Sequence, residues 1–169
     1  NDDSSHIAVS IGEEVWIVKS DDFKVVVKIQ VKVPVSSVLF AHGLLVCTGA
    51  SVCLVYDPQE HYNIRYTSPS LPDKIFSCAI LPIEQGKSLL AILGSYQRAF
   101  LWTVGTATIT PQPAHDGIVA CVEPYRDGMV VTAGHDGLVK LMRVTEVAGE
   151  PAGGTEQDDL DLVLQSFTQ

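Results

Sequence analysis

An all-β fold is predicted by three observations. A short apolar strand runs into a glycine and, after a few small or polar residues, into a second strand at Val9-Ser10-Ile11-Gly12, Val46-Cys47-Thr48-Gly49, Ala91-Ile92-Leu93-Gly94 and Val131-Thr132-Ala133-Gly134. The glycines lie 37, 45 and 40 residues apart, the period expected when one four-stranded blade of a β-propeller takes about 40 residues. No stretch carries a sustained 3.6-residue apolar period between caps, which argues against a helical domain. The expected fold is therefore a β-propeller segment of about four blades, each a four-stranded antiparallel sheet. Four such glycines are expected at matching places in successive blades.

Each unit can be justified in order. The first holds the strand before Gly12 and the strand Val15-Trp16-Ile17-Val18-Lys19, but only six residues precede Ile7, so an innermost strand is lacking. In residues 24–33, Val25, Val27, Ile29, Val31 and Val33 alternate with Lys24, Lys28, Gln30 and Lys32. This is the pattern of a half-exposed strand at the blade rim, where lysines oppose unwanted edge pairing. The later units read Val52-Cys53-Leu54-Val55-Tyr56, then Cys78-Ala79-Ile80-Leu81 and Ala99-Phe100-Leu101-Trp102, then Val119-Ala120-Cys121-Val122 and Leu138-Val139-Lys140-Leu141-Met142. Most of these residues are β-branched, aliphatic or aromatic, as in strands covered on both faces.

Residues 1–145 thus form the blades. Residues 146–159 form an acidic linker rich in Gly and Pro. Residues 160–169 hold a terminal edge strand, expected at 160–167 and either outermost in the fourth blade or closing against the first. Fifteen strands are expected in all. At this length the chain reads as an open half-propeller or as a fragment, and the absence of an initiator methionine favours a fragment or an unseen start.

The fourth unit, from Ala114-His115-Asp116-Gly117 to Gly134-His135-Asp136-Gly137 and Leu141-Met142, resembles the WD-repeat β-propeller family. The resemblance covers roughly residues 7–145, strongest in the fourth unit, fair in the third and weak in the first two. It implies that His115 and Asp136 hydrogen-bond with a strand hydroxyl, for which Thr132 is the match. The family's indole would complete that network, but Met142 stands in its place. Trp102 holds the indole position in the third unit, with Thr103 after it and Tyr96 at the turn. Tyr56-Asp57 is a softened form in the second, and Lys19-Ser20 stands at that place in the first. The expected structural residues are therefore His115, Thr132, Asp136 and Trp102.

Composition narrows the function. Apolar residues make up 46% and charged residues 18% of the chain, enough for a core and too little charge for disorder. No apolar run reaches the ~20 residues of a membrane-spanning helix, and no basic-then-apolar leader precedes the first strand. The net charge of −9 includes six acids and no base between Glu146 and Asp161, which leaves about −3 for the blades. That stretch reads as a solvated spacer, with a basic docking surface as the alternative. Cys47, Cys53, Cys78 and Cys121 all fall in strands, with Cys78 and Cys121 at corresponding places. They read as reduced, buried apolar residues, without the paired spacing of a zinc site.

His115-Asp116 and His135-Asp136 have no fixed nucleophile nearby, and no phosphate-binding loop or metal cluster is visible, so neither catalysis nor a cofactor is expected. The lysine strip lacks interleaved aromatics and arginines, which disfavours nucleic acid. The arginine after a terminal blade aspartate, typical of ubiquitin-ligase substrate receptors, is missing, as is the paired arginine of phosphoinositide-binding propellers. What remains is a non-catalytic protein-interaction scaffold, a subunit of an intracellular complex in the cytoplasm or nucleus, bound to other protein subunits and possibly one that completes the propeller. The alternatives are a purely structural half-propeller and, less favoured, a substrate-receptor adaptor.

Overall fold

The computed structural model describes residues 5–83, 86–126 and 128–144. Four blades follow one another along the chain, and every strand pairing is antiparallel. The first blade is a three-stranded sheet of β1 (His6–Ile11), β2 (Glu14–Lys19) and β3 (Val25–Gln30). The second has four strands in chain order, β4 (Val35–Ala41), β5 (Leu44–Gly49), β6 (Val52–Asp57) and β7 (Asn63–Thr67). In the third, β8 (Ser77–Ile83), β9 (Ser88–Gly94) and β10 (Tyr96–Thr103) are joined by the start of β11 (Thr110–Pro124). From Val119 onward β11 pairs instead with β12 (Met129–Gly134), which pairs with β13 (Val139–Arg143) to give the fourth. β11 is thus the outer strand of one blade and the inner strand of the next. The thirteen described strands, with β11 counted twice, fill fourteen of the fifteen expected positions. The expected strand at 160–167 and the linker at 146–159 lie outside the described residues.

Local sequence explains the hairpins. His42 and Gly43 connect β4 to β5 with φ of +50° and +76°, the mirror-image turn whose twist suits a tight hairpin and which glycine adopts at little cost. Between the sheets, alternation along each strand sends successive side chains to opposite faces. Val15, Ile17 and Ile29 of the first blade meet Leu45, Cys47, Leu54 and Tyr56 of the second. The second and third are joined through Val46, Cys53, Val55, Ile80, Phe100 and Trp102. Ile92 and Leu101 meet Val119, Val122 and Val130 between the third and fourth. Burying each large aliphatic side chain stabilises by about 1.5–3 kcal/mol.

A backbone hydrogen bond repeats at each junction. The N–H groups of Val35, Ile75 and Val119 donate to the carbonyls of Gly12, Ala50 and Ser95 at 2.8, 2.8 and 2.9 Å. The middle blades are therefore covered on both faces, whereas each end blade has an inward-packed face and an outer one.

The pairing register corrects the expectation that four glycines match. Ile11 pairs with Glu14 and Gly49 with Val52, each pair flanking a two-residue turn, while the Ser95 N–H donates to the Arg98 carbonyl across Tyr96 and Gln97. The equivalent positions are thus Ile11, Gly49, Ser95 and Gly134. Gly12 lies one residue too late, with φ of +62° for the turn itself, and Gly94 lies one residue too early. A slip of one residue changes the sheet face. A Cβ on Gly49 would strike the Pro34 carbonyl at 2.5 Å, on the side of the preceding blade. One on Gly94 would strike Val119, on the side of the following blade.

A second correction concerns the cysteines. Cys47, Cys53 and Cys78 are buried but Cys121 is exposed, and it is not equivalent to Cys78. A bulge between Val119 and Cys121 turns Val119 and Val122 inward together and sends Cys121 outward.

Candidate functional site

The most ordered polar constellation sits between β11 and the β12–β13 turn. His115 belongs to β11, Thr132 to β12, and Asp136 to the turn Gly134-His135-Asp136-Gly137, which is closed by the Gly137 N–H donating to the Gly134 carbonyl at 3.1 Å. Nδ1 of His115 lies 2.9 and 3.0 Å from the two Asp136 oxygens, and Nε2 lies 2.9 Å from Oγ1 of Thr132. Because an ionised carboxylate can only accept, Nδ1 is the protonated nitrogen and donates.

Asp136 also accepts from the N–H groups of Asp116 at 3.0 Å and Leu138 at 3.1 Å. Desolvation works against its charge, but these two N–H groups and the imidazole outweigh it and hold the carboxyl down at about 2. The structure therefore brings three of the four expected residues into one chain of hydrogen bonds. Met142 adds no polar link to it.

Two participants were not foreseen. Gly134 lets the ring lie flat against the backbone, since a Cβ there would stand 2.5 Å from Cγ and Nδ1 of His115. Lys140 of β13 donates to the Ala114 carbonyl at 2.8 Å and straps the strand beside the network. A glycine before a turn was visible in the sequence, but its contact with an imidazole nineteen residues away was not.

Trp102 lies outside this network. It is fully buried between the second and third blades, and its Nε1–H donates to the Thr106 carbonyl at 2.9 Å. The equivalent Tyr56 is also buried, yet its hydroxyl has no partner, the only such side-chain atom among the described residues. Burial pushes its pKa up to about 12. Asp57 caps the short turn Pro58–Glu60 by accepting from Gln59 at 2.9 Å and pairs with Arg65 at 2.9 Å. The dipeptide Tyr56-Asp57 thus performs two unrelated structural tasks.

The carboxylate, imidazole and hydroxyl have the hydrogen-bond order of an acyl-transfer triad. Access decides against that use, because the Thr132 hydroxyl is sealed in a residue only 1% exposed and no carbonyl carbon could reach it. The constellation holds three chain segments together. Among the described residues no group of three or more His, Cys, Asp or Glu side chains could hold a metal ion. No helix among them is long and apolar enough to cross a membrane. A cleft of about 450 Å³ between the second and third blades is lined by His42, Asp57, Arg65, Tyr66 and Lys87, but its best-placed acid and base already pair with each other.

The surfaces that remain are the outer faces of the end blades. On the first, Ile7, Val9 and Ile11 of β1 are 42, 41 and 48% exposed, and Trp16 and Val18 lie opposite Val9 and Ile7 in the ladder. Phe23, in the β2–β3 turn with φ of +54°, is 71% exposed. It holds that conformation through its N–H bond to the Lys19 carbonyl. The Lys28 ammonium sits 4.0 Å from the Trp16 ring centroid, a stabilising cation–π contact that keeps the indole half covered. On the fourth blade the matching face shows Val139 and Leu141 of β13 and Cys121 of β11.

No protein-family model matches this sequence, and no curated protein matches it. Among solved structures, the computationally designed Ika4 protein is similar with a TM-score of 0.68 and 12% identity, over 83% of this chain and 86% of that one. The WD40 β-propeller domain of Doa1 is similar with a TM-score of 0.68 and 11% identity, over 83% of this chain and 47% of that one. This chain therefore spans about half of that propeller domain. At such identities the likeness establishes the β-propeller fold alone.

Proposed function

We propose that this chain is a divergent WD-repeat propeller segment that serves as a non-catalytic protein-interaction scaffold within a larger intracellular complex. One observation carries the reading: both end blades keep an apolar outer face open to solvent, while the facing surfaces between blades are sealed by the same residue types. Contiguous apolar surface of this kind marks a place where another protein binds. A WD40 domain about twice as long shares the fold, so further blade surface from a partner is the natural cover. Such a partner should bury well over about 1,000 Å² in total. Four unpaired thiols support a reducing compartment.

The test is light scattering on the purified chain with and without its co-purifying proteins. Self-association, or a defined complex lost on substituting Val139→Asp and Leu141→Asp, is the expected outcome. A compact, cooperatively melting monomer at micromolar concentration, indifferent to those substitutions, would remove the role of the end faces.

A further inference from the structure

We propose that the cleft between the second and third blades binds a small organic anion, whose phosphate or carboxylate head is held by Arg65 and Lys87 and whose apolar body lies on Tyr66, Leu89 and Val104. This goes beyond the scaffold reading and does not rest on it, because the cleft lies at a seam between two middle blades and not on an end face.

The packing of the two blades builds the walls. The second blade contributes His42 from the β4–β5 turn, Asp57 from the end of β6, and Arg65 and Tyr66 from β7; the third contributes Lys87, Leu89 of β9 and Val104 just after β10. The third-blade wall is closed by the Val104 N–H, which donates to the Leu89 carbonyl at 2.8 Å. Tyr66 crosses the seam to meet that blade: Gly105 has φ of +91°, and a Cβ there would stand 3.1 Å from Cε1 of the ring. Tyr66, Leu89 and Val104 also pack against the apolar layer between these blades, so this side of the cleft is anchored in the core. The volume of about 450 Å³ falls within the roughly 300–1,000 Å³ of small-molecule sites, which are lined by apolar and aromatic groups with a few placed polar ones.

Charge selects the ligand. The whole chain carries −9, yet among the described residues that line the cleft two cations, Arg65 and Lys87, face one acid, Asp57, which leaves +1 before any proton on His42. The Asp57 carboxylate is already committed, one oxygen accepting from the Gln59 N–H at 2.9 Å and the other from Nη1 of Arg65 at 2.9 Å. With 10% of the Asp57 side chain but 47% of the Arg65 side chain exposed, the acid anchors the guanidinium and leaves the rest of its planar fork accessible. Such a fork takes a phosphate or carboxylate through two parallel hydrogen bonds. Lys87 and His42 have no hydrogen-bond or ion-pair partner among the described residues. The pairing that removes Asp57 and Arg65 from acid–base chemistry thus preorganises the guanidinium for binding, beside an ammonium with no carboxylate of its own.

Isothermal titration calorimetry of the purified chain with phenyl phosphate and with benzoate tests this. At least one of the two should bind at a single site with a Kd at or below about 1 mM, and the tighter one identifies the head group. Inorganic phosphate and acetate, which lack the apolar body, should bind at least about fivefold more weakly than their aromatic counterparts. Lys87→Met, which removes an exposed and unpaired charge, should weaken binding at least about fivefold, and Arg65→Lys, which keeps a charge opposite Asp57 but loses the fork, should do the same. Lys19→Met, the same change of charge at the exposed end of β2, should alter the Kd by less than about twofold. If Arg65→Lys does not fold, Lys87→Met alone decides. Neither heat nor a rise in melting temperature with either aromatic anion up to about 10 mM overturns the proposal. So does binding that Lys87→Met leaves unchanged or that Lys19→Met weakens equally, which would reduce it to general attraction. Equal affinity for the two anions without a body overturns the organic ligand, and a poly-glutamate peptide that binds where the small anions fail overturns the proposal in favour of an acidic partner chain.

Discussion

Substituting Gly134→Ala isolates the contact on which the His115 network depends. Its backbone is not in the left-handed region, so alanine brings no conformational strain and would ordinarily stabilise a strand by about 0.5–1 kcal/mol. The new Cβ would stand 2.5 Å from Cγ and Nδ1 of His115 and 2.7 Å from Oδ1 of Asp136. Carbon contacts settle near 3.5 Å or beyond, so the ring must retreat by roughly 1 Å. That displacement stretches the 2.9 and 3.0 Å bonds to Asp136 and the 2.9 Å bond to Thr132 past useful hydrogen-bond length. The side chain of His115 is fully covered, so its nitrogens cannot turn to water instead. Leaving a buried polar group unpaired costs about 1–3 kcal/mol, and after the alanine gain of about 0.5–1 kcal/mol the net loss should be up to about 2.5 kcal/mol.

Urea unfolding of Gly134→Ala, His115→Ala and the double variant measures this directly. His115→Ala removes the ring that the new methyl strikes and frees the Asp136 carboxylate from it to shift away, so in that background Gly134→Ala should cost under ~0.5 kcal/mol, a coupling of up to about 2 kcal/mol. Gly49→Ala is the control, because its Cβ meets the Pro34 carbonyl at 2.5 Å, and truncating a side chain elsewhere cannot relieve a backbone clash. Additive losses for Gly134→Ala and His115→Ala would refute the idea that this glycine is retained for the imidazole.

Trp102→Ala should cost about 3–5 kcal/mol in the same assay, since it empties a sealed site between two blades and removes the bond to the Thr106 carbonyl; a loss under 1 kcal/mol would mean the indole is not a keystone of that layer. Tyr56→Phe should be neutral or slightly stabilising because the hydroxyl it removes has no partner, and a clear loss of stability would reveal a bond that the geometry lacks. Asp136 has a folded pKa of about 2 against 3.8 when unperturbed, so its ionisation contributes stability above pH ~4 that is lost as the pH falls toward 2. Asp136→Asn should therefore flatten the acid limb of the melting-temperature profile between pH 4 and 2, and an unchanged limb would count against the charged network.

The blade repeat was legible because it depends on spacing and on the composition of whole strands, which survive small slips. The trio of His115, Thr132 and Asp136 was legible for a different reason: the resemblance of the fourth unit to WD repeats implies a histidine, a strand hydroxyl and a turn aspartate bonded together at those places. What sequence could not reveal was anything decided by a single residue of register. Gly12 and Gly94 look like Gly49 and Gly134 along the chain, yet the pairing register puts Gly12 inside its turn and Gly94 one residue before the equivalent position. Cys121 looks like Cys78, yet the bulge after Val119 turns it outward. The double use of β11 was hidden too, because Gly117 beside the junction reads as a break between two strands, whereas one strand runs through it from Thr110 to Pro124.

The placement of the polar network bears on why this end of the molecule can stay open. A middle blade is clamped by apolar layers on both faces, but the fourth blade is packed on one face only, by Val119, Val122 and Val130. Its three strands are instead cross-linked from within: His115 ties β11 to β12 and to the turn, Asp136 ties the turn to both Asp116 and the start of β13, and Lys140 returns from β13 to β11. These directional bonds substitute for the missing layer and fix the outward positions of Val139 and Leu141 without requiring anything to cover them. On the outer face of the first blade the contacts are of another kind: Lys28 stacks on Trp16, and the Trp16 indole donates to Glu14. The two ends are therefore chemically unlike. The fourth blade presents a preorganised surface, which would lose little entropy on docking the partner that the proposed scaffold role requires, whereas the first presents an open strand edge.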